Sequence, residues 1–178
     1  MGWTSKYGVF ALRLVTVVLL STVLAGCKVS YKFNGGTIDY TQIKTITITD
    51  VKNQAPMVYP SFAPKFTEGL KDIYTKRTKL EQVPNNGDLL LDVTIVGYDT
   101  KPVAIQENAY AAKTAFTVTV SVTFENAADE KQNFTDRTFT AFREFDSSVI
   151  FTSVQDALLE EITEDLIKQI YNVTVENW

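Results

Sequence analysis

The chain has 178 residues, 45% of them apolar, with 17 basic and 21 acidic side chains and no histidine. A balance of −4 excludes the concentrated basic footprint that nucleic acid demands, and equally a polybasic membrane-binding surface. The lack of histidine removes Ser-His-Asp and Cys-His nucleophiles, the commonest metal ligand and the neutral-pH proton shuttle.

The amino-terminal segment carries an address. Lys6 and Arg13 form a positive leader, and residues 14–24 are an apolar run of signal-peptide length, far short of the ~20 residues a permanent span requires. Leu24-Ala25-Gly26-Cys27 closes the run as a lipobox. It predicts cleavage between Gly26 and Cys27, with the Cys27 sulfur as the lipid attachment point and two or three acyl chains, palmitate among them, carried by that residue. Residues 1–26 are thus read as signal peptide, 27–36 as a lipidated lead and 37–178 as one domain. Lys28 and the lack of a nearby acidic run favour the outer membrane, with the protein facing the periplasm. The mature chain would hold 15 basic and 21 acidic residues, and Cys27 leaves no thiol for a disulfide or a metal site.

Asn34-Gly35-Gly36 is a turn signal, and residues 43–51 alternate isoleucine with threonine as a strand buried on one face. Ser61 is placed to cap a helix with Pro64 in its first turn. Phe62, Phe66, Leu70 and Ile73 give that helix an apolar stripe to about Thr78. Gly69 inside it costs about 1 kcal/mol against alanine, which close packing of backbones would offset.

A turn at Pro84-Asn85-Asn86-Gly87 precedes a strand in which Leu89, Leu91, Val93 and Ile95 share one parity. The pattern runs on less cleanly through Pro102 to Ile105. Residues 115–126 alternate cleanly, with Phe116, Val118, Val120, Val122 and Phe124 on one side and hydroxyls on the other. Residues 134–145 form a further strand of broken phase. There Phe139 and Ala141 share parity with Arg137 and Arg143 while Phe134 and Phe142 lie opposite, which predicts a bulge. Ser153 is read as the start of a helix of about 30 Å, with Val154, Leu158, Ile162, Leu166, Ile170 and Val173 as its core stripe and an acidic solvated face.

The order β-α-β-β-β-α predicts an α/β two-layer sandwich: two amphipathic helices on one face of a four-stranded mixed sheet. Its other face is rich in Thr and Ser and is where function can sit. With no phosphate-binding loop and its carboxylates on a wet helix face, the chain reads as a binder and not an enzyme, with no catalytic residue, metal or cofactor. Lys101, Lys113, Arg137 and Arg143 are candidates to grip the phosphates of a lipid, beside aromatic contacts from Tyr98 and Tyr110. The alternative is that these four are scattered solubilising charges.

These segments carry a resemblance. Tyr31-Lys32-Phe33-Asn34-Gly35, Asn53-Gln54-Ala55-Pro56, Phe66-Thr67-Glu68, Leu70-Lys71-Asp72 and Gly87-Asp88-Leu89 stand in order. They are followed by residues 100–106, Phe145-Asp146-Ser147-Ser148 and a final helix ending Asn177-Trp178. In that ordered set the chain resembles a divergent branch of the LptE family, the lipoproteins that assemble lipopolysaccharide at the outer membrane. The resemblance implies a barrel partner, the translocon LptD, whose lumen the lipoprotein plugs and whose assembly it assists. It also implies basic contacts to lipopolysaccharide, which the resemblance does not place on particular residues here. Two other roles stay open: a periplasmic lipoprotein that activates a cell-wall synthase, and a small-ligand-binding lipoprotein with an apolar cavity.

Overall fold

A computed structural model describes residues 38–57, 59–103 and 112–176. The proposed leader and Cys27, the glycine turn at 34–36, the loop with Tyr110 and the terminal Asn177-Trp178 lie outside the described residues.

The architecture is the expected two-layer sandwich. In chain order it runs β1 (Thr45–Ile48), β2 (Lys52–Asn53), α1 (Phe62–Arg77), β3 (Glu81–Gln82), β4 (Leu89–Pro102), β5 (Lys113–Asn126), β6 (Phe134–Asp146) and α2 (Phe151–Tyr171). A π-helical turn, Asn172–Glu176, follows α2 directly.

Among the described residues the sheet has six strands where four were expected, in the order β3-β1-β4-β5-β6 with β2 also on β4. The two extra strands are two residues each, too short to print a periodicity. The expected strand over 43–51 is in fact a four-residue β1 followed, after a break, by β2, and both pair with β4 in parallel. β3 extends the sheet beyond β1, also in parallel. The long β4 and β5 pair antiparallel, as do β5 and β6.

Two bulges explain the blurred phases. In β6, Thr135 and Asp136 stand between the pairs Val122↔Arg137 and Phe124↔Phe134, and Asp136 has φ 53, a left-handed conformation that aspartate tolerates. This is the bulge that the mixed parity predicts. A second one, at Val96 in β4, shifts the register between Ile95 and Gly97. It swaps the faces, so Tyr98 joins the core instead of offering the exposed aromatic contact expected of it. Tyr98 packs edge-on against Phe116, and its hydroxyl accepts from Gln155 Nε2.

Both helices lie on the face formed by Leu89, Leu91, Val93 and Ile95 of β4 and Phe116 to Phe124 of β5, all buried. α1 begins after Ser61 as expected, but the Ser61 side chain makes no cap bond. α2 begins two residues before Ser153, whose hydroxyl instead donates back to the Ile150 carbonyl. Its buried stripe is Leu159, Ile162, Leu166, Ile167 and Ile170, so Val154, Leu158 and Val173 are only half-buried. The helices run parallel. Tyr59 just before α1 bonds Asp156, Gly69 abuts Ile167 and Tyr74 bonds Thr174, sequence offsets of 97, 98 and 100.

Gly69 is what lets the helices approach. A Cβ there would stand 2.6 Å from Ile167 Cδ1. At the far end of the interface the buried Tyr74 hydroxyl meets Thr174 Oγ1 at 2.5 Å. The Thr174 proton goes to the Ile170 carbonyl at 2.9 Å, which leaves Tyr74 as the donor.

Candidate functional site: the open face of the sheet

Alternation along β4, β5 and β6 places one row of side chains on the helices and the next on the open face. The open rows are Asp92 and Thr94 on β4, Thr117, Thr119, Ser121 and Thr123 on β5, and Thr138, Thr140, Phe142 and Glu144 on β6. β-Branched threonines suit extended backbone, and their hydroxyls give the sheet a hydrogen-bonding surface without charge. Thr119 and Thr140 share a bond of 3.3 Å across the β5–β6 ladder. Phe142 is 55% exposed on this face, and its opposite parity to Phe139 and Ala141 is the signal by which sequence could have placed it there.

A shallow depression of about 300 Å³ opens in this face, between Lys52, Asp92, Thr94, Ser121, Thr123 and Asp136. The β6 bulge turns Asp136 into it, where its backbone N–H and carboxylate bond Thr123 and Ser121 at 3.3 Å. Lys52 and Asp92 pair across its rim at 3.0 Å. Such a surface can donate to and accept from hydroxyl-rich partners. Among the described residues no group of three or more His, Cys, Asp or Glu is placed to hold a metal.

The four basic candidates fall into two sets. Lys101 pairs with Ala115, and Lys113 lies two pairs further along the same ladder, so both reach the open face near the end of β4 and the start of β5. Residues placed diagonally in this way stand roughly 7–8 Å apart. Lys113 holds Glu144 at 3.0 Å. Arg137 and Arg143 face the other way. Arg137 stacks over Phe134 and Phe139, with its guanidinium 5.4 and 5.5 Å from the ring centres. Arg143 bonds Asp165 and Glu161 of α2, and these two carboxylates, Asp165 foremost, hold its guanidinium even more firmly protonated than usual.

At the other end of the sheet, Asp88 Oδ2 accepts from the backbone N–H groups of Lys44 and Thr45 and from the Thr45 hydroxyl, at 2.8 to 2.9 Å. Those bonds, the Lys44 amide first, pull its carboxyl below the usual range. Gly87 beside it is enclosed by backbone, since a Cβ would fall 2.6 Å from Thr47 N and 2.8 Å from Ile46 C.

No curated protein matches the chain. Among solved structures, a minor lipoprotein of Acinetobacter baumannii aligns over 75% of this chain and 94% of its own, at 16% identity and a TM-score of 0.47. An uncharacterized lipoprotein B of Nitrosomonas europaea aligns over 74% and 81%, at 11% identity and 0.49. Likeness at this level carries no weight for function. The family model does: the model LptE, described as lipopolysaccharide-assembly, matches residues 43–174 and so takes in both helices and all six strands. That family consists of non-enzymatic lipoproteins associated with the outer membrane. On a match of this extent, the chain belongs to the LptE family of lipopolysaccharide-assembly lipoproteins.

Proposed function

We propose that the chain is cut before Cys27, carries lipid on that residue and faces the periplasm from the outer membrane, with residues 37–178 as its one working domain. That domain seats inside an LptD-like β-barrel, assists its assembly and takes part in moving lipopolysaccharide outward. The observation that carries the reading is the hydroxyl-rich open face. A barrel lumen is polar, and a plug must meet it with groups that exchange hydrogen bonds without burying unpaired charge.

A tether of two or three acyl chains supports the same reading, because confinement at the membrane raises the effective concentration for docking without extra contacts. Contact with lipopolysaccharide falls first to Lys101 and Lys113, which share the open face, with exposed Phe142 on the same face. Arg137 is a further donor at the opposite end of β5, and Arg143 would act only by leaving its carboxylates. No reaction is assigned to the chain.

The test is purification of the lipidated protein from membranes in mild detergent, together with deletion of its gene. Co-purification of a large outer-membrane barrel and failure of that barrel to assemble on deletion support the reading. A solitary lipoprotein, with the barrel unaffected by its loss, overturns it.

A further inference from the structure

The helix layer has an outer side as well as the one that meets the sheet. There α1 and α2 leave a trough of about 840 Å³ between them. Its walls run over residues 62–72 of α1 and 156–167 of α2, about 15 Å of helix. Phe62, Leu159 and Ile167 form an apolar floor, and Gly69 keeps it deep by offering no side chain. Ala157 is an exposed wall residue.

The rims are acidic. Among the described residues Lys65 is the one cation lining the trough, against Glu68, Asp72, Asp156, Glu160 and Glu164. Asp72 and Glu164 are neutralised from outside by Lys76 and Lys168, and Asp156 accepts the Tyr59 hydroxyl. Glu68 on one rim and Glu160 on the other have no cation in pairing distance among the described residues. Two like charges flanking an apolar floor repel an acidic occupant, gain nothing from an uncharged one, and attract a basic one that also has apolar side chains to bury.

We propose that this trough is a docking site for a cationic amphipathic helix of a partner protein. The occupant is a segment of about three turns, with apolar residues at helical spacing on the floor and Lys or Arg on both flanks, against Glu68 and Glu160. A trough bounded by two parallel helices fits a third laid along it, whose i, i+3, i+4 and i+7 side chains enter together. The site lies on the face away from the open sheet, so it stands or falls separately from barrel docking.

The test uses the full lipidated chain in non-ionic detergent and a fluorescent twelve-residue helical peptide with leucines at i, i+3, i+4 and i+7 and flanking lysines. Glutamate-flanked and glutamine-flanked versions serve as comparisons. Binding of the lysine peptide should saturate, weaken with salt and exceed both comparisons at least about tenfold. Glu68→Lys with Glu160→Lys, and separately Ala157→Trp, should each weaken it by about the same factor while circular dichroism stays unchanged. These three positions are exposed, so the variants are expected to keep the fold, which the circular dichroism checks. Equal binding of the three peptides, no effect of the variants, or no binding overturns the proposal. So does a dimer of the chain that Ala157→Trp dissolves, because a second copy would then be the occupant.

Discussion

Asp88 and Thr45 hold each other by two hydrogen bonds of opposite sense: the Thr45 hydroxyl donates to the Asp88 carboxylate, and the Asp88 N–H donates to the Thr45 oxygen. One pair thereby fixes the start of β4 beside the start of β1 and sets the parallel register Ile46↔Leu89. Asp88→Ala should cost about 1–2 kcal/mol in denaturant unfolding, moderated by its partial exposure. The folded carboxyl is held below its ordinary pKa, so its stabilisation is present above about pH 4 and fades as pH falls through the depressed value. The gap between wild type and Asp88→Ala should therefore close in acid. A gap that is constant with pH would show that the carboxylate's charge is not what matters.

Gly87→Ala should be among the most damaging single-methyl additions in the protein. The added carbon meets backbone atoms of Ile46, Thr47 and Leu89, which cannot rotate away. A loss of about 2 kcal/mol or more is expected from thermal or denaturant unfolding. A neutral outcome would mean that the β1–β4 start is looser than described.

Gly69→Ala should behave differently, although its Cβ also lands at 2.6 Å, because the obstructing atom is the tip of Ile167. The gain in helix propensity, about 1 kcal/mol, offsets much of the crowding. In an Ile167→Val background, which removes that tip, Gly69→Ala should become stabilising. A double-mutant cycle with no coupling would contradict the close helix contact.

Burial pushes the Tyr74 phenol well above its ordinary pKa. A raised folded pKa means that the contribution is intact below about pH 10 and is lost as pH climbs beyond it. Alkaline unfolding of wild type should thus be steeper than that of Tyr74→Phe, which has no proton to lose. At neutral pH, Thr174→Val should cost more than Tyr74→Phe, by about 1 kcal/mol, since it leaves the phenol buried without an acceptor. Equal costs would place the Tyr74 hydroxyl in contact with water.

Much of this fold is legible in the sequence, and the failures have physical causes. The long strands and both helices announce themselves because β5, α1 and α2 each bury one face along 14 or more residues and β4 does so from Leu89 to Ile95, enough for a period to show. β2 and β3, two residues each, have no period to read. Tyr98 goes to the wrong face on parity because the Val96 bulge is a backbone event that Val96 itself does not advertise. The candidate site is less legible still. Lys101 and Lys113 come together only through the β4–β5 register, and Arg137 and Arg143 share their parity with core residues. The trough between the helices is invisible to any linear pattern, since its floor joins Gly69 to Ile167 across 98 positions.

Barrel docking through the open face is tested most directly by a photo-crosslinking residue at Thr119, in the middle of that face, in living cells. The account predicts one dominant adduct, of the size of a large outer-membrane β-barrel plus this chain, and much less of it from the same residue placed at Glu160 on the helix side. No barrel adduct from Thr119, or equal yields from the two positions, would contradict it.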